Sequence, residues 1–291
     1  MQLVTFLDQG QTCLGARVVR HDQRYVIDLH AAQPDLPGDM IAFLNAGEQA
    51  WQFARQAIDT APDRSLRPEE DIRWLPPVPR PGKIICLGHN YFGHLEAGRT
   101  EPPEFPTFFS KTANTLIGAG EPIVLPKVSE QVDYEAELAV IIGRRARHVS
   151  REQALDCVAG YSIFNDVSAR DYQKRTSQWM IGKSFDSFGP CGPALVTTDE
   201  IPNPHALELS LTLNGLERQH ANTRQMIFSI PALIAYLSEV MTLEPGDVIS
   251  TGTPARIKSE AGAPSFMRPG DVVTIRIEKI GELSNPVVAE I

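Results

Sequence analysis

From residue 133 to 142 the chain reads Asp-Tyr-Glu-Ala-Glu-Leu-Ala-Val-Ile-Ile, in which two glutamates stand one residue apart and lead into an apolar run. Side chains alternate along a strand, so Glu135 and Glu137 share a face with Ala139 and Ile141, while Tyr134, Ala136, Leu138, Val140 and Ile142 take the other. The pattern predicts a buried strand that holds two like charges side by side. Two readings are open on this stretch alone: a divalent cation held by oxygen ligands, or a solvated edge strand whose glutamates meet Lys or Arg.

The flanking patterns predict the rest of the architecture. Period-two pieces at 3–6, 16–19 and 25–29 read as strands, and apolar spacing at 40–44 and 51–58 reads as helix. Six prolines between Ala61 and Gly82 mark an extended linker, which divides a small α+β domain (1–75, linker to about 82) from a larger one (76–291). An apolar strand at 83–88 then delivers His89, Asn90, Tyr91, His94 and Glu96 in succession, which reads on its own either as a polar turn or as a catalytic loop. Ser150 and Gln153 predict a capping box with a helix running to about Val158. A strand at 161–165 ends on Asp166, and a helical reading of the following residues puts Asp166, Arg170 and Gln173 on one side. Lys183 falls in a stretch too rich in Gly and aromatics for regular structure, and reads either as a surface cation at a loop or, given its apolar neighbours, as a pocket lysine. Strict alternation at 207–213 turns at Asn214-Gly215, the signal of a hairpin, and Ile230 to Met241 carries a core-facing helical stripe. Pro245-Gly246 and Pro269-Gly270 each occupy the centre of a type II turn that launches a strand. Between them, Thr251-Gly252-Thr253 brings two hydroxyls and a flexible glycine to a strand end.

Composition narrows the function class. With 291 residues and 42% hydrophobic content the chain suits an ordinary globular protein, and its formal charge of -9 argues against nucleic-acid binding. No apolar stretch reaches the length of a membrane span, and the N-terminus lacks the plan of a signal peptide, so a cytoplasmic protein without membrane partners is expected. Four scattered cysteines, with no Cys-x-x-Cys pair, fit reduced thiols and exclude a cysteine zinc site.

Taken together, Gly88-His89-Asn90-Tyr91-Phe92-Gly93-His94, Asp133-Tyr134-Glu135-Ala136-Glu137, Phe164-Asn165-Asp166 through Asp171, Gly182-Lys183-Ser184-Phe185-Asp186 and Thr251-Gly252-Thr253-Pro254 resemble the fumarylacetoacetate hydrolase superfamily. The likeness is to a bacterial acylpyruvate or 2,4-diketo-acid hydrolase with an extra N-terminal domain. It implies an α+β fold whose C-terminal part is a mainly β, mixed β-roll with a few helices, and a homodimer. It also implies that Glu135, Glu137 and Asp166 bind one Mg2+ or Mn2+, which chelates the carboxylate and keto oxygen of a small keto-acid substrate. By the same match, His94 with Glu96 activates water, Lys183 steadies oxyanion charge, and Tyr91, Arg170, Gln173, Thr251 and Thr253 contact substrate.

One departure bears on the reaction. The family's glutamate usually follows the histidine by three residues, where this chain has Ala97, and Glu96 follows by two. C–C bond hydrolysis through a metal-stabilised enolate is the first expectation. Decarboxylation of an oxaloacetate-like acid, or keto–enol tautomerisation, needs no activated water and stands as the alternative, with a non-catalytic metal-binding relative as the third.

Overall fold

The computed structural model describes residues 1–93, 101–257 and 266–291. His94 and Glu96 lie outside them. Strands β1 (Gln2–Asp8), β2 (Gln11–Arg20) and β3 (Gln23–Asp28) form an antiparallel meander. Helices α1 (Leu29–Ala32), α2 (Met40–Asn45) and α3 (Glu48–Thr60) follow, with Asp39 capping α2 by accepting the Ala42 N–H at 2.9 Å. The proline-rich stretch alternates short extended pieces with 3-10 turns at Asp63–Ser65 and Glu69–Asp71, and two of the pieces pair with the meander: β4 (Leu66–Pro68) with β3 and β5 (Arg73–Leu75) with β1. Pro68 is tolerated because β4 is the edge strand.

Next come β6 (Ile84–Gly88), β7 (Thr107–Lys111), β8 (Leu116–Ile117) and β9 (Ile123–Leu125). The centre is β10 (Val132–Asp133), β11 (Ala136–Ile142), β12 (Val158–Asn165) and β13 (Ser168–Ala169), then α4 (Arg170–Gln173), α5 (Met180–Lys183) and β14 (Gly189–Thr197). The hairpin β15 (Glu208–Leu213) and β16 (Leu216–Asn222), helix α6 (Ile230–Val240), β17 (Val248–Ser250), β18 (Val272–Ile277) and β19 (Gly281–Ala289) complete the chain.

Among the described residues one sheet runs β4-β3-β2-β1-β14-β12-β11-β17-β6-β7, and a second runs β16-β15-β18-β19-β9. Both are mixed, since β17 pairs with β6, and β19 with β9, in parallel. The fold is thus α+β, largely sheet with a few helices. Strand β11 separates two apolar clusters in the alternation that its sequence predicts. Ala136, Leu138, Val140 and Ile142 pack with the second sheet and α6, whereas Ala139 and Ile141 pack with Leu3, Phe43 and Ala54 from the N-terminal segment. Both Pro-Gly turns form, with φ of 90° at Gly246 and 93° at Gly270 and closing N–H···O bonds from Asp247 to Glu244 and from Asp271 to Arg268. Asn214 and Gly215 both take positive φ, as a two-residue hairpin turn requires.

Three local expectations are corrected. Residues 150–153 form turns followed by a 3-10 segment over Ala154–Cys157, because Val158 is drawn into the sheet opposite Ile142. The segment after Asp166 stays extended as far as Ala169, since Ser168 pairs with Asp133, and helix begins only at Arg170. Lys183 closes a helical turn, α5, where irregular chain was expected.

Candidate active site

Strands β11 and β12 are antiparallel neighbours with Ala136 opposite Asn165, so the residue before one strand meets the residue after the other. Glu135 and Asp166 occupy those two positions. Their backbones are joined by the Asp166 N–H to the Glu135 carbonyl at 2.9 Å, and the Asn165 side chain accepts the Glu135 N–H at 3.0 Å. Glu135 therefore precedes β11 and only Glu137 lies within it. The two still converge: with Asp166 they offer carboxylate oxygens within 4.8 Å of one another, all three residues buried.

Three buried acids need cations. Lys183 Nζ donates to Glu135 Oε2 at 2.7 Å and Asp166 Oδ2 at 2.6 Å, and it lies 4.9 Å from the centre of the Phe109 ring. Lys111 Nζ donates to the other oxygen of Asp166 at 2.6 Å and to the Val167 carbonyl at 3.0 Å. Arg170 spreads its fork over Asp133 Oδ2 (2.8 Å), Glu135 Oε1 (2.5 Å) and Gln173 Oε1 (2.9 Å). Asp133 also pairs with Arg256, whose guanidinium lies over the Tyr134 ring, and burial pulls the Arg256 pKa down to about 10. Burial opposes the Lys183 charge, yet Asp166 and Glu135 outweigh it and hold that pKa above its usual value. Burial prevails at Lys111, with Asp166 opposing, and its pKa is lowered.

Glu137 is bound on one side only. Its Oε2 accepts the Ser250 hydroxyl at 2.6 Å and the Gly252 N–H at 2.8 Å, while Oε1, fully buried, has no hydrogen-bond partner among the described residues. Burial, reinforced by Asp166 and Glu135, raises the Glu137 pKa well above the carboxylate range. A buried acceptor without a donor, beside two further carboxylates and with no thiolate or imidazole in the set, suits a hard divalent cation.

The other expected residues fall as follows. Tyr91 is buried, and its hydroxyl has no partner among the described residues. Burial raises its pKa, and the Glu137 charge adds to the rise. Thr251 turns its hydroxyl back onto the Leu138 carbonyl at 2.8 Å. Thr253 accepts from Gln219 at 2.8 Å. The loop Thr251–Thr253 is seated by Asn90, which donates to the Thr251 carbonyl at 2.7 Å. Gly252 allows that seat, since its φ is 93° and a Cβ there would lie 2.8 Å from Asn90 Cβ. Gly182 does the same between α5 and α4, where a Cβ would lie 2.5 Å from the Gln173 nitrogen.

Sequence reasoning missed Lys111, Ser250, Asp133 and Gln219 as parts of the site. A lysine at the end of Phe108-Phe109-Ser110 is a visible signal for the first. Asp133 stands two residues before Glu135 in the motif, whereas Ser250 and Gln219 carry no signal, because their bonds cross between elements far apart in sequence.

The model of the fumarylacetoacetate (FAA) hydrolase C-terminal region matches residues 83–288. The chain belongs to the fumarylacetoacetate hydrolase family. Family membership makes it an enzyme of keto-acid chemistry. It is 42% identical over 290 residues to the oxaloacetate tautomerase fahd2, mitochondrial, of Xenopus laevis, an alignment covering 99% of this chain and 90% of the relative. Among solved structures it is similar to 5-carboxymethyl-2-hydroxymuconate delta-isomerase from Mycobacterium smegmatis, at 33% identity and TM-score 0.77, over 100% of this chain and 99% of the other. It is also similar to maleylpyruvate hydrolase from Sphingobium sp. SYK-6 in complex with manganese (II) ion and pyruvate, at 34% identity and TM-score 0.80, over the whole of both chains.

Proposed function

We propose that this protein catalyses the keto–enol interconversion of a small 2-keto dicarboxylic acid of the oxaloacetate class, with Mg2+ or Mn2+ held by Glu135, Glu137 and Asp166. The observation that carries the reading is the buried Lys183 ammonium, bonded to Glu135 at 2.7 Å and Asp166 at 2.6 Å. It fixes positive charge where an enolate oxygen gathers negative charge, and such preorganised charge in a dry site lowers the barrier to enolisation. The divalent cation, when bound, supplies a Lewis-acid seat for the carboxylate and α-keto oxygens. Arg170 orients the substrate from the rim, with Gln173 bonded to its guanidinium. Tyr91 and Thr253 bring hydroxyls to the same end of β6 and β17. His94, by its place in the motif, moves the proton at the carbon next to the keto group, and Glu96 is its partner.

Similarity to a tautomerase and to an isomerase supports this reading, as does the glutamate spacing after His94. Similarity to maleylpyruvate hydrolase favours a second reading, C–C bond hydrolysis of an acylpyruvate, in which His94 and Glu96 activate a water. The test is the relaxation of the oxaloacetate enol absorbance with and without EDTA, run beside cleavage of acetylpyruvate and maleylpyruvate and beside pyruvate release from oxaloacetate. Metal-dependent acceleration of the enol signal, without pyruvate release, is expected. Cleavage of maleylpyruvate that is lost in Glu96→Gln, with no effect on the enol signal, would replace this reading by the second. We further propose a cytoplasmic homodimer, the dimer checked by light scattering.

A further inference from the structure

Helical turn α5 brings Lys183 to the acids, yet it has little of its own to hold it in place. It is four residues long, and among the described residues no side chain caps it. So short a helix does not persist by itself. Met180 is 41% exposed and Ile181 64%, so neither pins the turn to the protein, and Gly182 has no side chain. Beyond Lys183, Phe185 packs on Tyr172 and Phe188, with ring centres 5.2 Å apart in each pair. Ahead of it, the apolar anchor is Trp179.

The Trp179 ring meets Phe109 and His89 edge to face, with ring centres 5.4 Å apart in both pairs. It also covers Gly88, the last residue of β6, so closely that a Cβ there would lie 2.3 Å from Cζ3 and 2.6 Å from Cη2 of the indole. Gly88 does not take positive φ, so its backbone is open to other residues and what excludes a side chain is the ring. Phe109 in turn faces Lys183 Nζ at 4.9 Å, and that ammonium lies 2.7 Å from Glu135 and 2.6 Å from Asp166. An unbroken set of contacts runs from Gly88 through Trp179 and Phe109 to the cation between two of the acids.

We infer that Trp179 is a positioning residue: seated in the notch at Gly88, its ring fixes where α5 begins and so how far the Lys183 ammonium reaches over Glu135 and Asp166. The inference deepens the function proposed above and rests on it. A ring that only covered the sheet would tolerate a methyl beneath it by lifting slightly. A ring that sets the reach of Lys183 cannot lift without carrying the ammonium along.

Gly88→Ala supplies that methyl. The experiment measures kcat and KM for oxaloacetate enolisation at saturating Mg2+, with a melting curve for each protein, in the parent, Gly88→Ala, Lys183→Met, the double variant of these two, and Gly88→Ala combined with Trp179→Phe. Lys183→Met is expected to lose about 100-fold in kcat, the scale of one lost oxyanion donor. Gly88→Ala loses roughly 10-fold with KM within about threefold, since a small misplacement of a reacting group is costly. It costs nothing further once Lys183 is gone, because both changes act on one ammonium. Phenylalanine lacks the outer edge of the indole that the methyl strikes, so adding Trp179→Phe returns kcat to within about threefold of the parent. A Gly88→Ala kcat within about threefold of the parent, a loss that multiplies with that of Lys183→Met, or no recovery with Trp179→Phe overturns the inference. Should Gly88→Ala fail to fold, Trp179→Leu takes its place in the parent and in Lys183→Met, judged on the first two criteria.

The same proteins are titrated with Mg2+ by calorimetry, a reading that needs no reaction. An ammonium drawn off Glu135 and Asp166 leaves them less neutralised, so Gly88→Ala is expected to bind Mg2+ about threefold more tightly than the parent, in the direction of Lys183→Met and with no added gain in the double variant. Affinity equal to the parent's, or gains that add, overturns the inference. Should the parent leave the oxaloacetate enol untouched, the proposed reaction falls, and the Mg2+ titrations alone decide the role of Trp179.

Discussion

Lys111 Nζ donates to Asp166 Oδ1 at 2.6 Å, with neither side chain exposed to water. Removing such a partner leaves a buried charge unbalanced, a loss on the order of 3–5 kcal/mol. Lys111→Met is expected to melt well below the parent in EDTA. Because the variant site is one unit more negative, added Mg2+ should raise its melting temperature by more than it raises the parent's. Thermal melts in EDTA and in Mg2+ check both statements.

Gly252 combines a φ of 93° with an N–H bonded to Glu137 and a wall formed by Asn90. Gly252→Ala meets both backbone strain, about 1–3 kcal/mol, and a collision with Asn90 Cβ. Reduced stability together with weaker Mg2+ binding is expected, since relief of the collision moves the Glu137 donor. Calorimetric titration with Mg2+ checks it, and metal affinity equal to the parent's would show that the Gly252 N–H does not orient Glu137.

Every arm of the Arg170 guanidinium is used: Nε on Asp133, Nη1 on Gln173 and Nη2 on both Glu135 and Asp133. A lysine has one charged point and no fork. Arg170→Lys is expected to keep the fold yet lose roughly 10- to 100-fold in kcat/KM, the usual cost of disturbing groups that orient metal ligands. Circular dichroism and steady-state kinetics together decide this.

His205 accepts the Ile230 N–H at 3.0 Å through Nε2, and so serves the first turn of α6. Burial lowers its pKa below the ordinary 6.5. A histidine with a depressed folded pKa stabilises the protein above the unfolded value, and that contribution disappears as pH falls from about 6.5 through the folded pKa. Denaturant midpoints are expected to drop between pH 7.5 and pH 5.5. The drop should shrink in His205→Gln, whose side-chain oxygen accepts the same bond without titrating.

Where one strand is buried on both faces, the linear pattern sufficed. The alternation from Tyr134 to Ile142 sorts correctly into two apolar clusters, because a one-residue slip would have exchanged them. Turn chemistry was equally readable at Asn214-Gly215 and at both Pro-Gly pairs, where φ leaves little choice of residue. The helix expected from Ser150 failed for the opposite reason: Val158 gains a strand partner at Ile142 that no local rule contains. The acids of the site stood out as carboxylates among apolar residues. Two of their partners did not, since Lys111 lies 55 residues from Asp166 and Ser250 lies 113 from Glu137. Gln219, 83 residues from Ala136, looks in the sequence like any polar residue of a hairpin.

Strand β1 pairs with β14, placing Gln2 opposite Val196 and Leu3 opposite Leu195. A polypeptide beginning at residue 76 would keep every acid and lysine of the site, yet it would bare the flank of β14 together with the apolar side of β11, where Ala139 and Ile141 now meet Phe43 and Ala54. An uncovered strand edge beside a greasy surface is a template for aggregation. The first 75 residues, which contribute none of those acids and lysines, are what keeps the remainder from sticking to its own kind.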